Sequence, residues 1–498
     1  MINKIRNLHL YNSLSRNIEL FQPINERLVR LYLCGPTVYG PPHLGHARSS
    51  ISFDILIRYL HFLGYSTRFV RNYTDVGHLE HDSDEGDDKI SKQAIKEHLL
   101  PEEIAQKYIN IYREYMSMLN ILPPDVEPLA TGFIPEQIKI ISKIIDEGFA
   151  YIVNGSVYFD VCKYNNVYKS YGCISGRVIE DCLNTRNITK SDEKRNIIDF
   201  ALWKKADSKH IMKWESPWSI GFPGWHSECI AISQKLLGAT FDIHGGGLDL
   251  KFPHHECEIA QSQVINNSKL ANIWFHNNLI TINEQKMSKS LGNFITLEEL
   301  FLGNNLTRAY HPMVFRFFVL QSHYRSTLSF SEDSLIAAEK GLLRIFNSVK
   351  TLNDFIASYE DENNENNENN ENVLNEKIDE GFSALDNDLN TAKVISCLFD
   401  LVTFINDLNT NIQLSKESLI NFRTKYLNII EDILGLKLPT IDDSFYGSLL
   451  EIYKKVKISK DYEQVDFIRG IFREKGLNIL DTKNGIKYSY NENILYKN

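Results

Sequence analysis

Apolar and polar positions run along this chain in blocks that change period. Leu28–Gly35 is short and mostly apolar, the pattern of a buried strand. Across Ala47–Gly64, Ile51, Ile55, Tyr59 and Phe62/Leu63 recur at the spacing of one helix face. Thr67–Asn72 reads as a second strand, so this stretch predicts the βαβ opening of a parallel sheet. Helical periodicity follows at Pro101–Leu119 and Pro135–Gly148, then a strand-like piece at Ser156–Val161. With the irregular residues 162–200 they predict an insertion, about 75–200, that interrupts the sheet. Sheet-type pieces resume at Phe241–His244, expected to end at a glycine cluster, and at Trp274–Ile282. Glu332–Ile356 and about 373–435 are helical in pattern. The expected fold class is α/β.

Length and composition add boundaries. The chain has 498 residues, room for three or so domains with a core that needs no disulfides. The expected division is 1–330 for the sheet domain, 331–360 for a helical region, 373–440 for a helical bundle and 446–498 for a small tail domain. Between them lies Asp361–Asn372, seven Asn and five acids with no apolar residue. Such a segment buries nothing to offset its ordering entropy and is expected to be a disordered linker. Glu80–Asp88 carries six carboxylates in nine residues and reads as a solvated loop of unassigned role. No apolar run reaches membrane-span length, and the N-terminus lacks the apolar core of a signal peptide. Seven cysteines, an odd and irregularly spaced set, read as reduced thiols in a cytosolic protein. The net charge of −10 argues against indiscriminate nucleic-acid binding. The tail from Tyr446 is nonetheless net +3, with ten Lys/Arg against seven Asp/Glu.

Candidate chemistry gathers at a few motifs. Pro41 and Pro42 break the chain before His43-Leu44-Gly45-His46, which puts both histidines on the first turn of the following helix. A helix start offers free N–H groups and a positive dipole end to a phosphate, and imidazole N–H groups there can follow charge onto a leaving oxygen. Downstream, Lys286-Met287-Ser288-Lys289-Ser290 places two lysines three apart in a Gly-flanked loop, suited to clamping pyrophosphate. Cys34, Cys229, His254 and Glu258 form a plausible tetrahedral zinc set. If Pro253 starts a helix, His254 and Glu258 share one face. Spacing alone does not select these four, because His255, Glu256 and Cys257 lie among them. Finally, His244-Gly245-Gly246-Gly247-Leu248-Asp249 follows a strand; its glycines allow close backbone approach to a ligand and its carboxylate can accept from ribose.

Together these motifs resemble the class I aminoacyl-tRNA synthetases. Cys-Gly-Pro-Thr at 34–37, Gly-Trp-His-Ser-Glu-Cys at 224–229 and Phe-Pro-His-His-Glu-Cys-Glu at 252–258 are similar to cysteinyl-tRNA synthetases in particular. The resemblance implies a Rossmann-type catalytic domain with an inserted subdomain, then a helical domain and a small anticodon-binding domain. It implies His43, His46, Lys286 and Lys289 as catalytic residues, with Gly45, Gly245, Gly247 and Asp249 joining them around ATP. Thr74, Trp225 and His244 would line the amino-acid pocket, and one zinc would sit on Cys34, Cys229, His254 and Glu258. Cys257 would be a bystander. The implied substrates are L-cysteine, ATP with Mg and tRNA(Cys), with zinc selecting a thiolate over serine's hydroxyl. Segment 322–326 resembles the family's stem-contacting stretch, 388–392 its helical-domain signature, and 460–469 with 476–481 its anticodon-binding stretches. The expectation is a cytosolic monomer that does not associate with membranes. Two rivals stand beside it: a ligase joining activated cysteine to an amino sugar, and a zinc-bearing RNA-binding protein without catalysis.

Overall fold

The computed structural model describes residues 6–79, 86, 88–179, 193–208, 210–287, 291–304, 308–359, 368–408, 414–441, 443–482 and 485–496. They form two compact units. The first comprises Met1–Ile280, Ser288–Glu298 and Tyr324–Thr327, the second Thr281–Met287, Glu299–His323 and Leu328–Asn498.

The first unit opens with a hairpin, β1 (His9–Asn12) and β2 (Asn17–Leu20). Then come β3 (Leu28–Leu33), α1 (Leu44–Phe62) and β4 (Ser66–Arg71), the expected βαβ unit with parallel strands. The helix is more deeply buried than a one-faced stripe predicts. Arg48, Ser50, Ser52 and Asp54 are buried along with its apolar residues. Each of the two charged groups is paired: the Arg48 guanidinium donates to the carbonyls of Leu279 and Ser326. Asp54 accepts from Arg58 Nε at 2.7 Å and from Leu122 N at 2.8 Å.

The inserted region carries α2 (Lys89–Glu97), α3 (Pro101–Met118), α4 (Ile134–Asp146), β5 (Ala150–Val153), β6 (Ser156–Phe159), α5 (Val161–Tyr168), β7 (Phe200–Lys205) and β8 (Gly221–Pro223). Strands β5 to β8 make an antiparallel sheet in chain order, so the insertion runs past the expected boundary at 200 to Pro223. The apolar run Phe200–Trp203 lies inside that sheet, between β6 and β8, and packs into the common core, which its short length had hidden. Of the acidic segment 80–88, residues 80–85 and 87 lie outside the described residues, as does Cys182.

From there the chain returns to the parallel sheet through α6 (Trp225–Leu237), β9 (Phe241–Gly247), α7 (His254–Asn266) and β10 (Ala271–Asn277). The strand order is β10-β9-β3-β4, all parallel. Strand β9 does not stop before its glycines but runs through them, pairing Gly245 with Phe275 and Gly247 with Asn277. A Cβ at Gly245 would lie 2.0 Å from the Phe275 carbonyl oxygen and 2.6 Å from Phe53 Cζ. Sheet and helix packing by itself therefore requires this glycine.

The second unit holds β11 (Ile280–Ile282), β12 (Gln285–Lys286) and β13 (Leu328–Phe330), in the order β12-β11-β13, and a helical assembly. That assembly contains α8 (Pro312–Leu320), α9 (Glu332–Ser358), α10 (Glu368–Asp386), α11 (Thr391–Asn406) and α12 (Lys416–Leu427). The expected linker is corrected at its end. Residues 361–367 lie outside the described residues, but Glu368–Asn372 are the first turns of α10. Buried Leu374, Ile378 and Phe382 anchor that helix, and Glu371 suits its positive N-terminal end. The tail forms α13 (Asp443–Ile458), α14 (Tyr462–Glu474) and the hairpin β14 (Leu477–Thr482) and β15 (Gly485–Tyr490). Part of its positive charge is spent internally, since Lys457 and Arg469 both pair with Asp481, at 2.6 and 2.8 Å.

Gly245→Ala is expected to destabilise the first unit by about 3 kcal/mol, because the added methyl meets a backbone carbonyl inside the sheet. Thermal melting measures it; a melting temperature equal to that of the unaltered protein would contradict the packing argument.

Candidate active site

The carboxyl ends of β3, β4 and β9 lie side by side, the usual ligand edge of an open parallel sheet. Immediately beyond β3 comes Cys34, whose N–H donates to the Gly245 carbonyl at 3.2 Å. Cys229 lies one turn into α6. Pro253 precedes α7 and brings His254 and Glu258 onto one helical face, as the spacing predicts. These four converge. Their ligand atoms all lie within 4.8 Å of one another. Cys34 Sγ is 3.6 Å from Cys229 Sγ and 3.6 Å from Glu258 Oε1, and His254 Nε2 is 3.1 Å from the same oxygen. Ligands on a tetrahedron with bonds of about 2.0–2.3 Å stand about 3.3–3.8 Å apart, so two thiols, an imidazole and a carboxylate here fit one zinc ion. A second set overlaps it, Cys34, His244, His255 and Glu258. His255 Nε2 lies 3.3 Å from Cys34 Sγ, a contact that residue spacing did not single out.

Electrostatics follow from near-complete burial. Burial would raise the Glu258 carboxyl, yet His244 and His254 hold it well below the usual carboxylate range. His244 Nε2 is 2.7 Å from Glu258 Oε2. Burial holds the Cys34 thiol well above its ordinary value, while against burial its hydrogen bond pushes Cys229 down to about 6. The pair thus shares a proton. Burial and the neighbouring His244 and His276 keep His255 neutral. Its Nδ1 is 2.7 Å from His276 Nε2, and His276 Nδ1 is 2.9 Å from Ser13 Oγ. This ladder from Ser13 to Cys34 went unseen in the sequence, where His276 is one polar residue in the sheet-type stretch Trp274–Ile282. Cys257 faces away, 3.7 Å from the Tyr171 hydroxyl, as expected of a bystander.

Around the cluster, Trp225 starts α6 and stacks on His254 at 4.4 Å between centroids. His244 is fully buried and stacks on Trp274 at 4.5 Å. Thr74 is buried too, and its hydroxyl donates to Glu228 Oε1 at 2.5 Å. Asp249 lies exposed on the turn after β9.

The start of α1 departs from the expected arrangement in one respect. Its first N–H groups are not free for a ligand. Leu44 N donates to the Ile295 carbonyl, and Gly45 N to His43 Nδ1 at 3.1 Å. His46 Nδ1 in turn accepts from His43 N at 3.4 Å. The two rings stack 3.8 Å apart at 27°. Since both Nδ1 atoms accept, each neutral ring carries its proton on Nε2. The helix start therefore offers imidazole N–H donors in place of backbone ones. Burial, with Arg71 nearby, pushes His46 down to about 4. Arg71 lies over the Tyr112 ring at 4.8 Å and pairs with Glu127 at 2.5 Å. Tyr112 sits edge-on to His46 at 6.1 Å, and its hydroxyl meets Ser50 Oγ at 2.9 Å. Lys286 is exposed in β12, opposite Thr281; Lys289 lies outside the described residues.

Residues 20–340 match the family described as tRNA synthetases class I (C) catalytic domain, and residues 382–439 match the DALR domain. The chain is 50% identical to the cysteine–tRNA ligase of Bacteroides fragilis over 97% of its own length and 99% of that protein. It is also 50% identical to the cysteine–tRNA ligase of Cytophaga hutchinsonii and 48% identical to that of Porphyromonas gingivalis, each with 97% of this chain and 99% of the relative covered. Among solved structures, methionyl-tRNA synthetase of Mycobacterium tuberculosis in complex with methionyl-adenylate superposes with a TM-score of 0.54 at 14% identity, over 82% of this chain and 89% of that one. A putative arginyl-tRNA synthetase of Campylobacter jejuni gives 0.52 at 12%, over 84% and 94%. Those two likenesses concern the fold. With the ligase relatives matched end to end, the chain belongs to the cysteine–tRNA ligase family of class I aminoacyl-tRNA synthetases.

Proposed function

We propose that this protein activates L-cysteine with ATP and transfers it to tRNA(Cys), acting in the cytoplasm as a monomer. The observation that carries the reading is the thiol–thiol–imidazole–carboxylate cluster at the ligand edge of the sheet, beside Trp225 and all on one chain. Zinc held by Cys34, Cys229, His254 and Glu258 would supply a thiophilic Lewis acid that favours sulfur over a hydroxyl. In the first step a cysteine carboxylate oxygen attacks the α-phosphorus of ATP, the bond to the bridging oxygen breaks, and pyrophosphate leaves. The carboxylate is already a nucleophile, so no general base is required. The contribution of His43 and His46 is to donate from Nε2 to phosphate oxygens as charge shifts toward the leaving group. Gly45, Gly245, Gly247 and Asp249 complete the ATP site in this reading, and Lys286 and Lys289 bind the triphosphate with Mg. The carboxylate of Asp249 suits ribose hydroxyls, and its exposure on the turn after β9 supports that role. Thr74, Trp225 and His244 shape the amino-acid side. In the second step the terminal ribose hydroxyl of the tRNA attacks the activated carbonyl, AMP leaves, and one proton is released. The DALR match and the tail elements favour tRNA over an amino sugar as acceptor.

Cysteine-dependent ATP–pyrophosphate exchange tests the activity. Cysteine should support exchange and serine poorly; with Glu258→Gln, kcat/KM for cysteine should fall about 100-fold or more while that for serine moves little. Zinc is quantified on the same protein. Strong exchange with another amino acid would overturn the activity, and equal losses for cysteine and serine would make the metal structural.

Metal analysis separates the two overlapping ligand sets. About one zinc per chain is expected, lost in Cys229→Ser and His254→Asn and kept in Cys162→Ser. Retention in Cys229→Ser with loss in His244→Asn would assign the other set.

His46 gives a pH signature. Its folded pKa of about 4 is depressed from an ordinary 6.5, so the unfolded chain binds this proton first as pH falls. The stabilising contribution is full above pH 6.5 and is lost as pH drops toward 4. Over that window the melting temperature should fall more steeply than in His46→Gln; parallel curves would show that His46 titrates normally.

A further inference from the structure

Trp225 is held by a second imidazole besides His254. The His78 ring lies nearly flat on the indole, 4.2 Å between centroids and 8° between planes. His78 is in turn gripped at both ring nitrogens. Lys89 Nζ is 2.8 Å from Nε2, and Thr37 Oγ1 is 2.5 Å from Nδ1. An ammonium group only donates. Nε2 must therefore accept, which leaves the proton on Nδ1, donated to Thr37. The ring is neutral, with one tautomer and one orientation. Its backbone is fixed as well, because the His78 carbonyl accepts from Lys89 N at 3.2 Å and Leu79 pairs with Asp88. Asp88 then caps α2 through the N–H groups of Ile90 and Ser91. Gly77, at φ 76°, makes the turn that seats this residue; a Cβ there would lie 2.3 Å from the Pro223 carbonyl oxygen, two residues before Trp225. Thr37 follows closely on Cys34, so the ring bridges the loop after β3, the start of α2 and the start of α6.

We propose that His78 is a positioning residue for amino-acid selection. It holds the Trp225 indole in place beside His254, with Lys89 and Thr37 fixing its own ring. The inference rests on the reading above that Trp225 lines that site. Removing the ring frees one contact face of the indole and leaves the candidate ligands untouched, so the effect falls on the hold on cysteine and not on ATP.

The test uses the full-length protein in three variants: His78→Ala, His78→Phe, which keeps a flat face without the hydrogen bonds, and Lys89→Met. His78→Ala should raise KM for cysteine in pyrophosphate exchange about three- to tenfold, with KM for ATP and zinc content unchanged. Acrylamide quenching of Trp225, isolated from the five tryptophans by difference against Trp225→Phe, should increase. His78→Phe should recover most of both effects, and Lys89→Met should move both in the same direction by less. Unchanged KM and quenching in His78→Ala, equal rises for ATP and cysteine, or no recovery with Phe would each overturn the proposal. If His78→Ala does not fold, Lys89→Met decides, and an unaltered KM for cysteine overturns the proposal there too. Trp225→Ala separates this from the underlying reading: an unchanged KM for cysteine in that variant sinks the amino-acid site itself. A raised KM there beside a silent His78→Ala sinks only the role of His78.

Discussion

Glu258 is a carboxylate wholly removed from solvent, and a charge so placed costs several kcal/mol unless protein groups replace its water. His244 and His254 do so, each within 3.1 Å of one of its oxygens. That requirement orders the whole edge of the sheet. It ties α7 to the middle of β9, keeps His244 against Trp274, and brings Cys34 at the end of β3 within reach. Two thiols that share a proton and a carboxylate held ionised make an electron-rich cluster of soft and borderline donors. A divalent cation relieves the repulsion that such a set would otherwise store, which is the physical reason these residue types suit zinc.

The start of α1 is built on a different principle. In α1 the backbone donors of the first turn are consumed by His43 and by Ile295, so the helix presents side-chain donors whose tautomers are set by its own capping. Burial keeps His46 neutral, and Arg71 adds to it from behind the Tyr112 ring. Tyr112 belongs to α3, so the inserted region takes part in forming this corner. Through Lys89 and His78 its first helix reaches Trp225 as well.

The sequence alone determined the parts of this protein that depend on local pattern. The period of Ile51, Ile55 and Tyr59 specified α1, and proline at 41 and 42 placed His43 and His46 at its start. Pro253 set His254 and Glu258 one turn apart, and the motif order identified the family. Chain separation hid the rest. His276, Ser13 and His78 carry no signal of their own, because a lone histidine or serine in a strand or loop is ordinary; only packing brings His276 to His255 and His78 to Trp225. Gly245 was legible as a need for close approach, but the protein groups that approach it are Phe275 and Phe53, which no local pattern contains. The end of the insertion at Pro223 and the helical start at Glu368 likewise depended on partners distant in sequence. Burial decides protonation, and burial belongs to the tertiary structure.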